Sequence, residues 1–120
     1  MNIHAIEIGT NNCIETQPDS RMPASIADAL DLVAACGDRQ TGLLFINHEN
    51  IPDAFYNLRT GLAGSVLLMF NMYRITAPAV VNPVLSKRGK FYDFALESNR
   101  HNAFRIFLSI EDALSWLIQL

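Results

Sequence analysis

From Ile3 to Ile8, apolar Ile3, Ala5, Ile6 and Ile8 are interrupted by polar His4 and Glu7, and Gly9-Thr10-Asn11-Asn12 separates them from Cys13-Ile14-Glu15. Alternation broken by glycine and asparagine predicts a β-hairpin. Beyond a polar loop between Pro18 and Pro23 the period changes. Ile26, Ala29, Leu30, Val33 and Ala34 fall at i, i+3, i+4, i+7 and i+8, with Asp28, Asp31 and Asp38 off that stripe, which predicts an amphipathic helix. Ser25 with Asp28 three residues on reads as its cap, and Gly37 as its left-handed end. Gly42-Leu43-Leu44-Phe45-Ile46 is continuously apolar and short, so it predicts a strand covered on both faces at the centre of a sheet.

An extended apolar run precedes the stretch Phe55 to Tyr73, which predicts a polar turn carrying Arg59 and Thr60 and a helix from Leu58 to Tyr73. That helix buries Leu62, Val66, Met69, Phe70 and Tyr73 and is apolar nearly all round. Ile75 to Val81 reads as the next strand, with Pro78 implying a bulge or an edge contact because it cannot donate to a ladder. Ser86 is placed to cap a helix that turns Phe91, Phe94 and Ala95 inward and leaves Tyr92 outside. Ala103 to Leu108 is a strand with Phe104, Ile106 and Leu108 on one face. Ser109-Ile110-Glu111-Asp112 opens a last helix with Ala113, Leu114, Leu117 and Leu120 inward. The order β-β-α-β-α-β-α-β-α predicts an α/β domain over residues 1–120, a mixed sheet with helices packed on it and right-handed crossovers making the later strands parallel.

Composition narrows the function classes. Half of the 120 residues are hydrophobic, 18% are charged and the net charge is −3, a globular balance with no excess of cations for a polyanion. Arg74, Lys87, Arg88, Lys90 and Arg100 gather in the second half without interleaved aromatics, so no nucleic-acid partner is expected. Cys13 and Cys36 lack metal-ligand spacing and read as reduced core thiols in a cytoplasmic protein. The start carries no secretory signal, and no apolar run nears the ~20 residues that span a bilayer. His4 and His101 match no ligand spacing, so neither metal nor cofactor is expected.

Three groups are candidates for chemistry. The start of the Leu58–Tyr73 helix offers unpaired N–H groups and the positive end of a dipole to an anion, with Arg59 adding charge and Gly61 and Gly64 permitting close approach. The structural alternative is that Asn57 or Thr60 caps the helix while the glycines pack against a strand. His48 and Glu49 after the central strand, with Asn82 after its neighbour, fall at the carboxyl edge where ligands of open α/β sheets sit. They suggest a small enzyme, against a solvated loop. Glu97, Asn99 and Arg100 form a third polar group, against a helix end in which Asn99 turns left-handed and Arg100 meets the last carbonyls.

F-Y-N-L-R-T-G-L-A-G at Phe55 to Gly64, N-M-Y-R-I-T-A-P-A-V at Asn71 to Val80 and E-S-N-R at Glu97 to Arg100 together resemble a bacterial family described as a domain of unknown function and grouped with the SpoIIAA-like fold. The chain departs from that pattern at Asn82-Pro83 and at His101-Asn102, where glycine is usual. The topology is also similar to the STAS domain, in which a Ser or Thr before a glycine at the helix start is phosphorylated. That resemblance implies Thr60, before Gly61, as the phosphosite, although Leu58 stands where an acidic residue is usual. Together these features predict a regulatory or binding domain for a protein partner or small anionic ligand, assembled as a homodimer.

Overall fold

Leu44, Phe45 and Ile46 are each at most 1% exposed, as a strand covered on both faces requires. In the computed structural model, which describes residues 3–8, 11–16, 26–51, 53–87 and 89–119, five strands and five helices follow in the order β1 (Ile3–Ile8), β2 (Asn11–Thr16), α1 (Ile26–Asp38), β3 (Leu44–Phe45), α2 (Asp53–Tyr56), α3 (Leu62–Met72), β4 (Ala77–Val80), α4 (Phe91–Ser98), β5 (Phe104–Phe107) and α5 (Ile110–Ile118). β1 and β2 form the antiparallel hairpin, with Ile3 opposite Thr16 and Ile8 opposite Asn11. β2 pairs with β3 in parallel, and β4 with β5 in parallel.

Between β3 and β4 the ladder is thinned by one proline. Thr76 N–H donates to the Gly42 carbonyl at 2.7 Å, Leu44 N–H to Thr76 at 3.0 Å, Ile46 N–H to Pro78 at 3.0 Å and Val80 N–H to Ile46 at 2.9 Å. In that alternation Pro78 occupies the position whose N–H would face Leu44, so one rung is missing. Pro78 therefore sits neither at a bulge nor at an edge: it is buried in an interior strand flanked by β3 and β5. The strands form a three-stranded sheet, β1-β2-β3, and a two-stranded one, β4-β5, joined by parallel bridges of Leu43 with Thr76 and Ile46 with Ala79, so that neighbours run β1-β2-β3-β4-β5 with every pairing after the first parallel.

The pleat divides two cores. Ile14, Leu44, Ile46, Ala77, Ala79, Phe104 and Ile106 face α1 to α4 and the larger core. There Phe55 lies 5.7 Å from Phe104 and 6.1 Å from Phe91, and Phe70 stacks on Phe104 at 5.9 Å. Cys13, Phe45 and Val80 face the other way onto Ala113 and Leu117 of α5. Cys13 and Cys36 are both free and fully buried in these different cores.

Several expectations are corrected. α1 is rotated from the expected stripe: Ala29, Leu32 and Cys36 are buried, while Leu30 and Ala34 are exposed. An almost continuous Leu-Val-Ala-Ala-Cys run leaves helical phase undetermined, and packing sets it. Gly37 lies inside α1, and the left-handed residue after the helix is Gln40 at φ 54. Phe55 is helical, in α2. The expected Leu58–Tyr73 helix is two pieces, a 3-10 turn at Leu58–Thr60 and then α3, divided by Gly61 at φ 75. Tyr73 is half exposed. Gly64 is exposed and a Cβ there would meet nothing within 4 Å, so no close approach requires it. β5 ends at Phe107, and Leu108 is exposed. Ser109 caps α5 as expected, its hydroxyl accepting the Asp112 N–H at 3.2 Å. The Ser25 cap, the turn at residues 9–10, Leu120 and the 17–25 loop lie outside the described residues.

Candidate functional site

Arg59 and Thr60 lie in a short turn because Asn57 accepts the Arg59 N–H at 3.1 Å through its side chain and Gly61 then adopts the left-handed region. The Thr60 hydroxyl is fully engaged. It donates toward the Ala54 and Asn57 carbonyls, each at 2.9 Å, and accepts the Leu62 N–H at 3.2 Å. One side chain thus ties α2, the turn and the first residue of α3. Thr60 also satisfies an N–H at the α3 start, the end at which the sequence placed an anion.

The opening beside this turn belongs to another helix. Tyr56, Asn57, Leu58, Arg59, Gly89, Lys90 and Phe91 line a cleft of about 420 Å³. Lys90 is the N-terminal flanking residue of α4 and makes no side-chain cap, so the first N–H groups of α4 have no side-chain partner from that position. Exposed Arg59 and Lys90 bring two cations to this cleft, while Leu58, Tyr56 and Phe91 supply an apolar wall. The Tyr56 and Phe91 rings lie 5.1 Å apart.

Tyr56 is the residue that sequence reasoning passed over. Its phenolic oxygen accepts the Asn82 N–H at 2.9 Å, 26 residues away, which fixes the cleft wall to the carboxyl end of β4. Burial pushes its phenol above the ordinary 10.0, with the Asn82 N–H opposing and the Asp53 carboxylate adding to the rise. No local pattern around Tyr56 announces so distant a partner.

The other two candidate groups lie apart from this cleft. His48 and Glu49 sit in an exposed 3-10 turn after β3, with His48 Nε2 3.9 Å from Glu49 Oε1. The Asn82 side chain is occupied locally, accepting N–H groups from Val84 at 2.9 Å and Leu85 at 3.1 Å. None of the cavities of about 470, 420, 340 and 150 Å³ is lined by His48, Glu49 or Asn82. Ser86 does not cap α4; its hydroxyl donates to the Pro83 carbonyl at 3.3 Å.

Glu97, Ser98, Asn99 and Arg100 divide their roles between surface and sheet. Glu97 makes exposed contacts with Arg100 at 3.6 Å and His101 at 3.8 Å. Buried Ser98 donates its hydroxyl to the Phe104 carbonyl. Asn99 is right-handed, φ −73, where a left-handed terminus was expected. Its amide donates to the Ile106 carbonyl at 3.0 Å, and its oxygen accepts the Ile106 N–H at 2.7 Å. These contacts cover backbone groups along the side of β5 that faces away from β4.

Among the described residues, no three His, Cys, Asp or Glu side chains are grouped to hold a metal, and no helix is long and apolar enough to cross a membrane. The model of a family described as a domain of unknown function (DUF4180) matches residues 8–117, and the chain belongs to that family. No curated protein and no solved structure matches it.

Proposed function

As the family description assigns no activity, we propose from the geometry that the chain is a cytoplasmic, non-catalytic binding domain whose 55–61 turn and α4 start receive an organic anion with an apolar body. The observation carrying this reading is the cleft in which Arg59 and Lys90 accompany an α4 start without a side-chain cap, beside Tyr56, Leu58 and Phe91. Guanidinium and ammonium groups supply charge-assisted hydrogen bonds, the helix start adds a partial positive charge, and the aromatic wall accepts the ligand's apolar part. The two free buried thiols support a reducing compartment.

The sequential, mostly parallel strand order supports a SpoIIAA-like arrangement, in which this cleft stands beside the inferred regulatory turn. Thr60 serves that turn through three contacts of its hydroxyl, and phosphate on its oxygen would remove the proton it donates toward the Ala54 and Asn57 carbonyls. A regulatory modification at Thr60 would therefore act by opening the turn. Phosphopeptide analysis of protein from its native host checks for it, and absence of phosphate under all growth conditions removes the modification from the proposal.

Amide-resolved NMR titration with phenyl phosphate tests the cleft. Saturable shifts are expected at Leu58, Arg59, Lys90 and Phe91, with affinity falling about tenfold in Arg59→Gln or Lys90→Gln, the scale of one lost charge-assisted contact. Equal binding of neutral benzyl alcohol, or shifts that bypass this cleft, would overturn the reading.

A homodimer is the assembly favoured by a different observation. Leu30, Leu68, Met69, Met72 and Tyr73 line a groove of about 340 Å³ between α1 and α3, and Leu68 and Met72 are 61% and 69% exposed. Sedimentation across a concentration series should show association that Leu68→Glu abolishes; a constant monomer mass sinks this assembly.

A further inference from the structure

A second cavity, of about 470 Å³, lies at the opposite, amino end of β4 and β5, lined by polar Asn71, Arg74, Thr76, Arg100, His101 and Asn102. Phe70 and Ile75, which also line it, are buried and give it an apolar back wall. We propose that this cavity is a second ligand site, for a small molecule carrying a phosphate or carboxylate, held by the guanidinium groups of Arg74 and Arg100.

The cavity lining carries this assignment, and the backbone under Arg74 fixes where its side chain begins. α3 ends with Ile75 N–H bonded to the Phe70 carbonyl at 2.8 Å and Arg74 N–H to the Asn71 carbonyl at 3.2 Å, the paired closure that places its second-last residue in the left-handed region. Glycine is the default there because a side chain strains the backbone, yet this chain has arginine at φ 57. The same backbone is held from the sheet: Thr76 N–H bonds to Gly42, and a Cβ on Gly42 would stand only 3.1 Å from the Arg74 carbonyl. Arginine at a glycine position, on a backbone held at both ends, puts a guanidinium beside the cavity from a fixed origin.

Arg100 stands in the turn just after the other helix, α4, whose end is fixed to β5 by the Ser98 and Asn99 contacts. Its partner Glu97 lies 3.6 Å away across an exposed pair, a contact that competes weakly with a bidentate oxyanion. Two guanidiniums match the paired oxygens of phosphate or carboxylate, and the Asn71 and Asn102 amides offer both donors and acceptors to the rest of the molecule. The volume exceeds that of a bare ion and falls in the range of sites for small organic molecules.

Both helices end at this cavity, so the arginines also complement the negative ends of α3 and α4. A purely structural role of that kind predicts changes in stability without ligand binding, and Arg74→Gly separates the two. Glycine suits φ 57, so this variant keeps the helix closure and should fold at least as stably as the native chain. The test is amide-resolved NMR titration of the full chain with inorganic phosphate, glucose 6-phosphate and succinate. Saturable shifts are expected at Arg74, Thr76, Arg100 and His101, with affinity about tenfold or more weaker in Arg74→Gly and in Arg100→Gln, and partly kept in Arg74→Lys. Stronger shifts with glucose 6-phosphate than with succinate assign the group as phosphate, and the reverse order as carboxylate. The site is overturned if none of the three anions gives saturable shifts there, if Arg74→Gly binds as the native chain does, or if the shifts fall only at Arg59 and Lys90. Failure at that other cleft alone leaves this site standing, since the two lie at opposite ends of β4.

Discussion

The Asn99 carboxamide bonds both backbone groups of Ile106, accepting at 2.7 Å and donating at 3.0 Å, so that one side chain takes the place of a neighbouring strand beside β5. With Ser98 bonded to the Phe104 carbonyl, α4 closes an edge that would otherwise offer unpaired groups to another chain. Asn99→Ala should lose about 1–3 kcal/mol in urea unfolding, because two partly covered backbone groups lose their partner. Asn99→Asp keeps an acceptor for the Ile106 N–H but sets oxygen against the Ile106 carbonyl, so it should recover at most part of that loss. A native midpoint in both variants would mean that water replaces the contact without cost.

The two glycines at the start of α3 should respond oppositely to alanine. Gly61 holds φ 75, so Gly61→Ala should cost about 1–2 kcal/mol. Gly64 is helical and exposed, with open space where a Cβ would stand, so Gly64→Ala should add about 0.5–1 kcal/mol by reducing unfolded-state freedom. Thermal unfolding of the two single variants checks the pair of signs.

These outcomes bear on how much the sequence alone conveys. Strand order was readable because Leu44-Phe45-Ile46 is a short apolar run and the intervening segments carry helical spacing; the Ser109 cap was readable because its partner, Asp112, lies in the next turn. Helical phase was not, since Leu30 and Leu32 are both apolar and only packing sends Leu32 inward. The cleft was half visible: Arg59 stands out locally, but Lys90 and Phe91 meet it only through the fold, and the bond from Asn82 to Tyr56 joins distant positions. The role of Asn99 was not legible, because its side-chain partner is the backbone of a strand seven residues on and its own backbone stays right-handed.

The thiols impose a pH dependence whose sign follows from burial. Burial raises Cys13 from its ordinary 9.0 to about 12 and Cys36 to about 11, so both stay neutral in the folded chain while the unfolded chain ionises first. Below about 9 neither state ionises them and their contribution is constant; between about 9 and 11 the unfolded state holds fewer protons, and stability falls as pH rises. Urea midpoints should decline through that window, less steeply in a Cys13→Ala, Cys36→Ala double variant after allowance for its lower starting stability. Native protein at pH 8 should also resist iodoacetamide at both sites, with alkylation following on unfolding. Rapid alkylation of the folded chain would contradict the burial of both sulfurs.

Thr60 gives the test that separates a structural clip from a mere surface hydroxyl. Thr60→Ala removes the one hydroxyl proton shared between the Ala54 and Asn57 carbonyls and the acceptor for the Leu62 N–H, so it should cost about 1–2 kcal/mol, as a lost helix cap does. Thr60→Ser retains the hydroxyl and should stay within about 0.5 kcal/mol of the native chain, the usual spread of mild surface changes. Because Asn57, Leu58 and Arg59 line the cleft, loosening the turn should also weaken phenyl phosphate binding in Thr60→Ala while leaving it intact in Thr60→Ser. Amide hydrogen exchange completes the measurement. Faster exchange at Leu62 in the alanine variant alone is the expected result, and unchanged exchange in both variants would show that the hydroxyl holds nothing in place.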